Sequence, residues 1–198
     1  MIHLIITAAN ISENYNARKD LYIQSIESAL KYSYLFDSYT ILECASKQED
    51  YLDQYNVHYS KVQNIYPEKG LNEMQHLKSF IEQADFRDND AIIKLSGRYL
   101  LEDNSFFNKV KILIERFDSI FKDDSDIYVG RGYHTFLYCM KKSRFLDTIN
   151  SLNFSKDNMN PIEWGVKDFL STKEKNYEIA RLGIVAHQGA TGEKVFRS

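Results

Sequence analysis

Along the first hundred residues, segments with the apolar pattern of a β-strand alternate with segments that have the pattern of a helix. A nearly unbroken apolar run from His3 to Ala9 is typical of a strand whose two faces are both covered. Apolar residues at helical spacing follow and predict a helix over 18–34. The pattern continues with strands at 39–44, 57–62 and 90–101 and helices at 49–55 and 72–81. This alternation predicts an α/β fold with a mixed but mostly parallel, Rossmann-like sheet flanked by helices.

The second half of the chain predicts the mixed part of this sheet. Residues 106–121 have the pattern of a helix, and apolar runs at 126–130 and 135–140 are close enough to form a hairpin. The remaining predicted elements are helices at 144–152 and 162–170, with Pro161 in the first turn of the latter, and a strand at 179–186. No linker or internal repeat interrupts 1–198, so we expect a single domain.

Composition narrows the class of protein. The 198 residues are 43% hydrophobic and 14% aromatic, as expected of a globular chain. A formal net charge of −3 provides no basic surface for nucleic acid or an anionic membrane. Both cysteines lie in apolar runs, the N-terminus has no basic leader, and no apolar segment is long enough to span a bilayer. We therefore expect a cytoplasmic protein with buried thiols and no nucleic-acid partner.

Polar residues interrupt the predicted central strand at 90–101. Because strand side chains alternate, Lys94, Ser96 and Arg98 would share one face of it. Two cations on a buried strand are costly unless an anion meets them. That anion is either a protein carboxylate or a ligand, such as the diphosphate of a nucleotide. The spaced glycines of a dinucleotide fold and the Gly-Lys-Ser/Thr of a phosphate loop are missing, which argues against a dehydrogenase or an ATPase.

Three segments carry a family resemblance. They are Lys94-Leu95-Ser96-Gly97-Arg98-Tyr99, Lys69-Gly70-Leu71-Asn72-Glu73 and Ile41-Leu42-Glu43-Cys44-Ala45-Ser46. On these segments the chain resembles small glycosyltransferases of the GT-A fold, in the nucleotide-diphospho-sugar transferase superfamily. The resemblance implies transfer of a sugar from a nucleotide-diphosphate donor to a carbohydrate acceptor, for glycan or surface polysaccharide synthesis. It also implies that 1–101 form the nucleotide-binding half and 102–198 the acceptor-side half.

The resemblance, with the rule that ligands bind at the carboxyl ends of strands, implies a donor site. Glu43 would contact the nucleoside, while Lys94, Arg98 and Lys69 would hold the diphosphate. The expected donor-binding residues are Ala8, Asn10, Arg18, Glu43, Lys69, Asn72, Lys94, Ser96, Gly97, Arg98, Tyr99 and His187. His187 stands in a Gly-rich tail, for which a mobile loop without a binding role is the equal alternative.

The chain departs from the family in its metal ligands. Most members carry Asp-x-Asp at the end of the central strand, where Ser96-Gly97-Arg98 stands here. Asp88-Asn89-Asp90 precedes the predicted strand at 90–101 and would lie at the opposite edge of the sheet. The same objection applies to Asp123-Asp124-Ser125-Asp126, which precedes the predicted strand at 126–130. We assign no metal ligand and expect metal-independent binding, although a Mn²⁺ or Mg²⁺ cofactor stays open.

Acidic and aromatic residues of the second half are candidates for catalysis and acceptor binding. An inverting transferase needs a base for the acceptor hydroxyl, and Glu163 and Asp168 are the carboxylates in the appropriate part of the chain. Trp164 would provide a platform for a sugar ring, and Arg131 and His134 would line the acceptor pocket. The alternatives are that Glu163 is an ordinary first-turn residue and Trp164 a core residue, and that the mechanism is retaining and needs no such base.

Two other functions compete with glycosyl transfer. A non-catalytic module would bind a nucleotide or glycan without turnover, and the missing Asp-x-Asp favours it. A nucleotidyltransferase would share the layered fold but would need Mg²⁺ bound by carboxylates. Hydrolysis of a sugar nucleotide without acceptor would separate an enzyme from a binding module.

Overall fold

Strands and helices alternate in a computed structural model that describes residues 1–9, 15–45, 48–125, 131–188 and 193–197, with the backbone alone for 186–188 and 193–197. The strands are β1 (Ile2–Ala8), β2 (Ser38–Glu43), β3 (Val57–Tyr59), β4 (Ala91–Ser96), β5 (Tyr99–Leu101), β6 (Ser119–Phe121), β7 (Leu137–Lys141), β8 (Asn176–Glu178), β9 (Ile184–Gln188) and β10 (Glu193–Arg197). The α-helices are α1 (Tyr15–Leu30), α2 (Lys69–Gln83), α3 (Ser105–Leu113), α4 (Lys142–Ser151) and α5 (Ile162–Leu170).

The main sheet confirms the predicted α/β class. Its strand order is β3-β2-β1-β4-β7-β6-β8. All neighbouring strands in it are parallel except at β7, which is antiparallel to both β4 and β6. The sheet is therefore mixed but mostly parallel.

Helices cover both faces of this sheet. Leu4 and Ile6 of β1 pack in one apolar cluster, whereas the alternate residue Ile5 packs in the other. The first cluster includes Ile26 of α1 and three residues of α3, and the second includes buried residues of α2, α4 and α5. This explains why the strands have almost no polar face: side chains on both sides are buried.

The predicted central strand is divided into two strands. β4 ends at Ser96, the chain turns at Gly97 and Arg98, and β5 pairs with β9 in a separate three-stranded sheet of order β10-β9-β5. Gly97 N donates to Thr7 O at 2.8 Å, and a Cβ on Gly97 would lie 2.8 Å from both Thr7 O and Tyr22 Cδ1. This close approach of the chain to β1 requires glycine. Arg98 consequently lies in the turn, not on the strand face shared by Lys94 and Ser96.

The predicted helix at 106–121 is wrong at its C-terminal end. α3 ends at Leu113, and 119–121 form β6 because Ser119 and Ile120 pair with β7 and are fully buried. The predicted hairpin partner, 126–130, lies outside the described residues. The prediction at 49–55 is also wrong, since only a 3₁₀ turn, Asp50–Leu52, forms there.

The prediction of a strand at 179–186 is wrong over 179–183, because β9 begins at Ile184. The expectation of buried thiols agrees with the structure. Cys44 and Cys139 are buried free thiols, and burial raises the pKa of each. None of the helices within the described ranges is long and apolar enough to cross a membrane.

One edge of the sheet collects the functional candidates. β1, β2, β4 and β6 run in the same direction, so their carboxyl ends share this edge with the start of the antiparallel β7. The first turn of α2 reaches the first turn of α5 here, where a Cβ on Gly70 would lie 2.6 Å from Ile162 Cδ1. We call this side of the molecule the carboxyl edge.

Gly97→Ala should destabilise the protein by about 1–3 kcal/mol, because the new Cβ meets a backbone oxygen and a buried ring that have little freedom to move. Gly165→Ala is the matched control. Its Cβ would contact only the end of the Leu152 side chain, and alanine favours the helix. Urea denaturation of both variants measures the effect. Equal free energies of unfolding for the two variants would contradict the role assigned to Gly97.

Candidate active site

A buried lysine lies at the centre of the carboxyl edge. Lys94 is fully buried in β4, and its Nζ donates to Glu73 Oε2 at 2.8 Å, Ser96 Oγ at 2.6 Å and Thr135 O at 2.7 Å. These three acceptors use all three of its donors. The anion opposite Lys94 is therefore a protein carboxylate, that of Glu73, which is one of the two alternatives that the sequence left open. Lys94 has no donor left for a diphosphate.

Hydrogen bonds extend from Lys94 to both sides along the edge. Thr7 Oγ1 of β1 donates to the other oxygen of Glu73, and Thr135 Oγ1 donates to Glu163 Oε1 at 2.8 Å. The chain of contacts joins β1, α2, β4, the segment before β7 and α5. Lys94 thus holds the predicted site residue Ser96 directly and Glu163 indirectly, through Thr135.

Two arginines lie near the end of β1. Tyr22 Oη donates to Ala9 O and accepts from Ala9 N, both at 3.0 Å. Arg18 lies one helical turn before Tyr22 in α1, and Arg98 follows Gly97, where a Cβ would lie 2.8 Å from Tyr22 Cδ1. Burial raises the pKa of Tyr22, and the charges of Arg98 and Arg18 oppose that rise. Both arginines are half-buried, and neither forms an ion pair or hydrogen bond with the part of the chain that the structure describes. Their donors remain available to an anion.

Other predicted donor residues have different surroundings. Lys69 is exposed in the first turn of α2 at the same edge. Glu43 is fully buried, and its carboxylate accepts from Ala45 N at 2.9 and 3.0 Å. Asn72 holds the preceding loop, since its Oδ1 accepts from the backbone N of residues 65 and 66 and its Nδ2 donates to the carbonyl of residue 66. Tyr99, the first residue of β5, stacks on the ring of Phe136.

Two predicted donor residues cannot be placed in the site. Asn10 lies outside the described residues. His187 lies in β9, where only its backbone is described, paired with β10. Ala8 is buried as the last residue of β1, directly before the Tyr22 contact.

The prediction that the run 123–126 lies at the opposite edge is wrong. Asp123 and Asp124 follow β6, whose carboxyl end lies at the carboxyl edge, because the chain before them is a strand and not a helix. Asp124 is 1% exposed, and neither of its carboxylate oxygens has a hydrogen-bond partner among the described residues. Asp123 pairs with Lys167. No sequence pattern distinguished Asp124 from its neighbours, since only strand direction identifies its edge.

The other acidic run has the predicted structural role. Asp90 precedes β4 at the opposite edge and accepts from the N-terminal ammonium of Met1 and from Arg87 N, each at 2.8 Å. Burial raises its pKa, but these bonds and one from His3 outweigh burial and bring the pKa to about 2.

The two catalytic candidates lie apart. Glu163, in the first turn of α5, approaches Asp124: a Cβ on Gly132 would lie 2.7 Å from both Asp124 Oδ2 and Glu163 Cβ. Burial raises the pKa of Glu68, the N-cap of α2, and Glu163 contributes to that rise. Asp168, five residues after Glu163, is exposed on a face of α5 about 140° away. Only Glu163 belongs to the carboxyl edge.

A cavity of ≈ 400 Å³ opens on the outer side of α5. Asp168, Trp164 and Arg131 all line it, and the Arg131 guanidinium lies 4.0 Å from the centre of the Trp164 ring. Further lining residues are Leu71, Leu152, Asn153, Asn158, Asn160, Pro161, Ile162 and Phe169. His134, the third predicted acceptor residue, is buried and packs on Phe136 instead.

Comparisons with known proteins identify the fold. No family model and no curated protein matches this sequence. A similar solved structure is 4-diphosphocytidyl-2C-methyl-D-erythritol synthase from Anaerococcus prevotii, with a TM-score of 0.61, 12% identity, and coverage of 98% of this chain and 90% of that chain. A candidate glucose-1-phosphate thymidylyltransferase from Bacillus anthracis has a TM-score of 0.64 and 12% identity, with coverage of 94% of this chain and 89% of that chain. A candidate nucleotide-diphospho-sugar transferase from Desulfovibrio desulfuricans has a TM-score of 0.55 and 10% identity, with coverage of 90% of this chain and 79% of that chain. At these identities the likeness shows that the chain shares their fold.

Breaking the buried ion pair should be costly. Lys94→Met leaves Glu73 without its cation and should lower the free energy of unfolding by about 3 kcal/mol. Adding Glu73→Gln to Lys94→Met should recover part of this loss, because the second change removes the unpaired charge. Urea denaturation of the two single variants and the double variant measures the coupling. Strictly additive losses would show that the two groups do not depend on each other.

Proposed function

We propose that this protein is a glycosyltransferase that moves a sugar from a nucleotide-diphosphate donor to a carbohydrate acceptor. The observation that carries the proposal is the pair of guanidinium groups, Arg18 and Arg98, without ion-pair partners among the described residues at the end of β1 and β4. Ligands of open α/β sheets bind at this position. Planar guanidinium groups suit the oxygens of a diphosphate.

The fold supports a nucleotide ligand. One of the similar structures is a candidate nucleotide-diphospho-sugar transferase, and the names of two others contain a cytidyl and a thymidylyl group. We place the diphosphate against Arg18 and Arg98, with Lys69 near its outer side. The sugar would then extend towards β7 and β6, where Glu163 lies.

Glu163 is our candidate for the catalytic base in an inverting transfer. Its Oε1 is held by Thr135, and its position in the first turn of α5 favours the ionised carboxylate. It would take the proton of the acceptor hydroxyl while the acceptor oxygen forms a bond to the anomeric carbon. The bond from that carbon to the phosphate oxygen breaks, and the nucleoside diphosphate leaves with its electron pair, stabilised by the arginines.

The cavity beside α5 is our candidate for the acceptor pocket. Trp164 offers an aromatic face, and the amide side chains of Asn153, Asn158 and Asn160 offer hydrogen bonds for hydroxyl groups. Asp168 belongs to this cavity, so we assign it to acceptor binding and not to the chemical step.

Nucleotidyl transfer is the second candidate function. Two of the similar structures favour it, because they are named as a synthase that makes a diphosphocytidyl compound and a thymidylyltransferase. Such an enzyme would join a nucleoside triphosphate to a sugar phosphate and release pyrophosphate. Glycosyl transfer releases a nucleoside diphosphate instead, so the two products separate the two functions.

Binding of a nucleoside diphosphate should depend on Arg98. We expect one of UDP, GDP, CDP, ADP and dTDP to raise the melting temperature, and Arg98→Ala to weaken its binding about 10–100-fold in calorimetry, because a charged hydrogen-bond donor is lost. Arg87→Ala, an exposed arginine at the opposite edge, is the matched control and should bind as the wild type does. Equal binding by both variants would contradict the donor site.

Glu163→Gln should separate chemistry from binding. With the matching sugar nucleotide and an acceptor, we expect release of nucleoside diphosphate to slow by about 10²–10⁴-fold while donor affinity changes little, because the base is removed and the diphosphate site is not. Glu115→Gln, an exposed carboxylate on the far side, is the control. Binding without turnover in the wild-type protein would identify a non-catalytic module, and pyrophosphate release from triphosphates would identify a nucleotidyltransferase.

A further inference from the structure

Asp124 is an unusual carboxylate for a folded protein. It is 1% exposed, and both its oxygens are buried without a hydrogen-bond partner in the described ranges of the chain. Buried polar groups are almost always hydrogen-bonded, and an ionised group without a partner is the costliest exception. Such a group indicates that a ligand supplies what the protein does not.

The surroundings of Asp124 are acidic. Glu163 is close to Asp124, since Gly132 packs against both side chains: a Cβ on Gly132 would lie 2.7 Å from Asp124 Oδ2 and 2.7 Å from Glu163 Cβ. Two cations of this region have other partners that the structure shows, since Lys167 pairs with Asp123 and Arg131 stacks on the Trp164 ring, and the buried Lys122 forms no hydrogen bond or ion pair with Asp124. A positively charged ligand therefore fits this position better than an anion.

We propose that Asp124 binds a divalent cation, Mg²⁺ or Mn²⁺, through its two oxygens, and that the donor diphosphate completes the coordination. The inference rests on the proposed donor site. It reverses our expectation of metal-independent binding. It also places the cation on a carboxylate after β6, not at the Ser96-Gly97-Arg98 position where most members of the resembled family carry Asp-x-Asp.

An incomplete protein site agrees with the chemistry of these cations. Among the residues that the structure describes, no group of three His, Cys, Asp or Glu side chains could hold a metal ion. Mg²⁺ typically uses only one or two carboxylates, with substrate phosphates and water as its other ligands. β6 lies two strands from β4, so the carboxyl ends of the strands that precede Asp124 and Arg98 are roughly 10 Å apart. A diphosphate between them would contact arginine on one side and the cation on the other.

Asp124→Asn provides the test, because it keeps the shape of the side chain and removes its charge. The expected result has two parts. In the protein without ligand, the melting temperature should rise, since a buried charge without a partner is lost. In calorimetry with UDP, GDP, CDP, ADP or dTDP, Mn²⁺ should tighten nucleotide binding by about tenfold or more in the wild-type protein and by no more than about twofold in the variant.

The controls separate the cation from the donor site. Asp88→Asn removes an exposed carboxylate of the Asp-x-Asp sequence at the opposite edge and should keep the full Mn²⁺ effect. Nucleotide binding in EDTA tests the arginines alone. Binding that is equal with Mn²⁺ and with EDTA in the wild-type protein would overturn the cation site and leave the donor site intact. A lower melting temperature of Asp124→Asn without ligand, or an undiminished Mn²⁺ effect in it, would also overturn the cation site. No binding of any nucleotide under either condition would overturn the donor site itself.

Discussion

The buried ion pair between Lys94 and Glu73 is the interaction on which the carboxyl edge depends. A fully buried ammonium group is stable only with a complete set of acceptors, and Lys94 obtains them from α2, from its own strand and from the segment before β7. Each acceptor belongs to a different part of the chain. The ion pair therefore fixes where α2 and the Thr135 segment lie relative to the central strand.

That arrangement determines which charges remain for a ligand. Lys94 and Glu73 neutralise each other, and Asn72 and Glu43 are engaged with nearby backbone groups. Arg18, Arg98 and Asp124 have no such partners among the described residues. The two arginines are half-buried at the edge, and Asp124 is buried beyond the end of β6. The charges of Lys94 and Glu73 hold the structure together, and the charges of the two arginines and Asp124 are left for a ligand. Lys94 and Arg98 are only four positions apart, but Lys94 is fully buried in β4 whereas Arg98 is half-buried in the turn after it.

The sequence predicts the layers of this fold better than the details of its edge. Apolar runs such as 3–9 identify buried strands because both faces of the sheet are covered, and helical spacing identifies α1, α2 and α5. The strand at 119–121 could not be identified, because three residues are too few to show a periodicity and they begin soon after a helix that ends at Leu113. The predicted central strand at 90–101 did not reveal that the chain turns at Gly97, where one sheet ends and the chain leads to another.

Site prediction failed where strand direction was needed. The choice of Lys94, Ser96 and Arg98 as one face was reasonable for a continuous strand, but the turn after Ser96 separates the last of them. Asp124 was assigned to the opposite edge because it precedes the predicted strand at 126–130, whereas in the structure it follows β6. Both errors concern the place of a residue in the topology, which residue type alone does not give.

The remaining charges form two poles along the edge, which limits the ligand that fits. Arg18 and Arg98 lie by β1 and β4, whereas Asp124 and Glu163 lie by β6 and α5. A ligand that was only anionic would meet repulsion at the acidic pole, and one that was only cationic would meet it at the arginines. A diphosphate linked to a neutral, hydroxyl-rich sugar satisfies both poles when a divalent cation lies between its phosphates and Asp124. The two carboxylates therefore support the proposed ligand as much as the two arginines do, and neither pair alone would suggest that ligand.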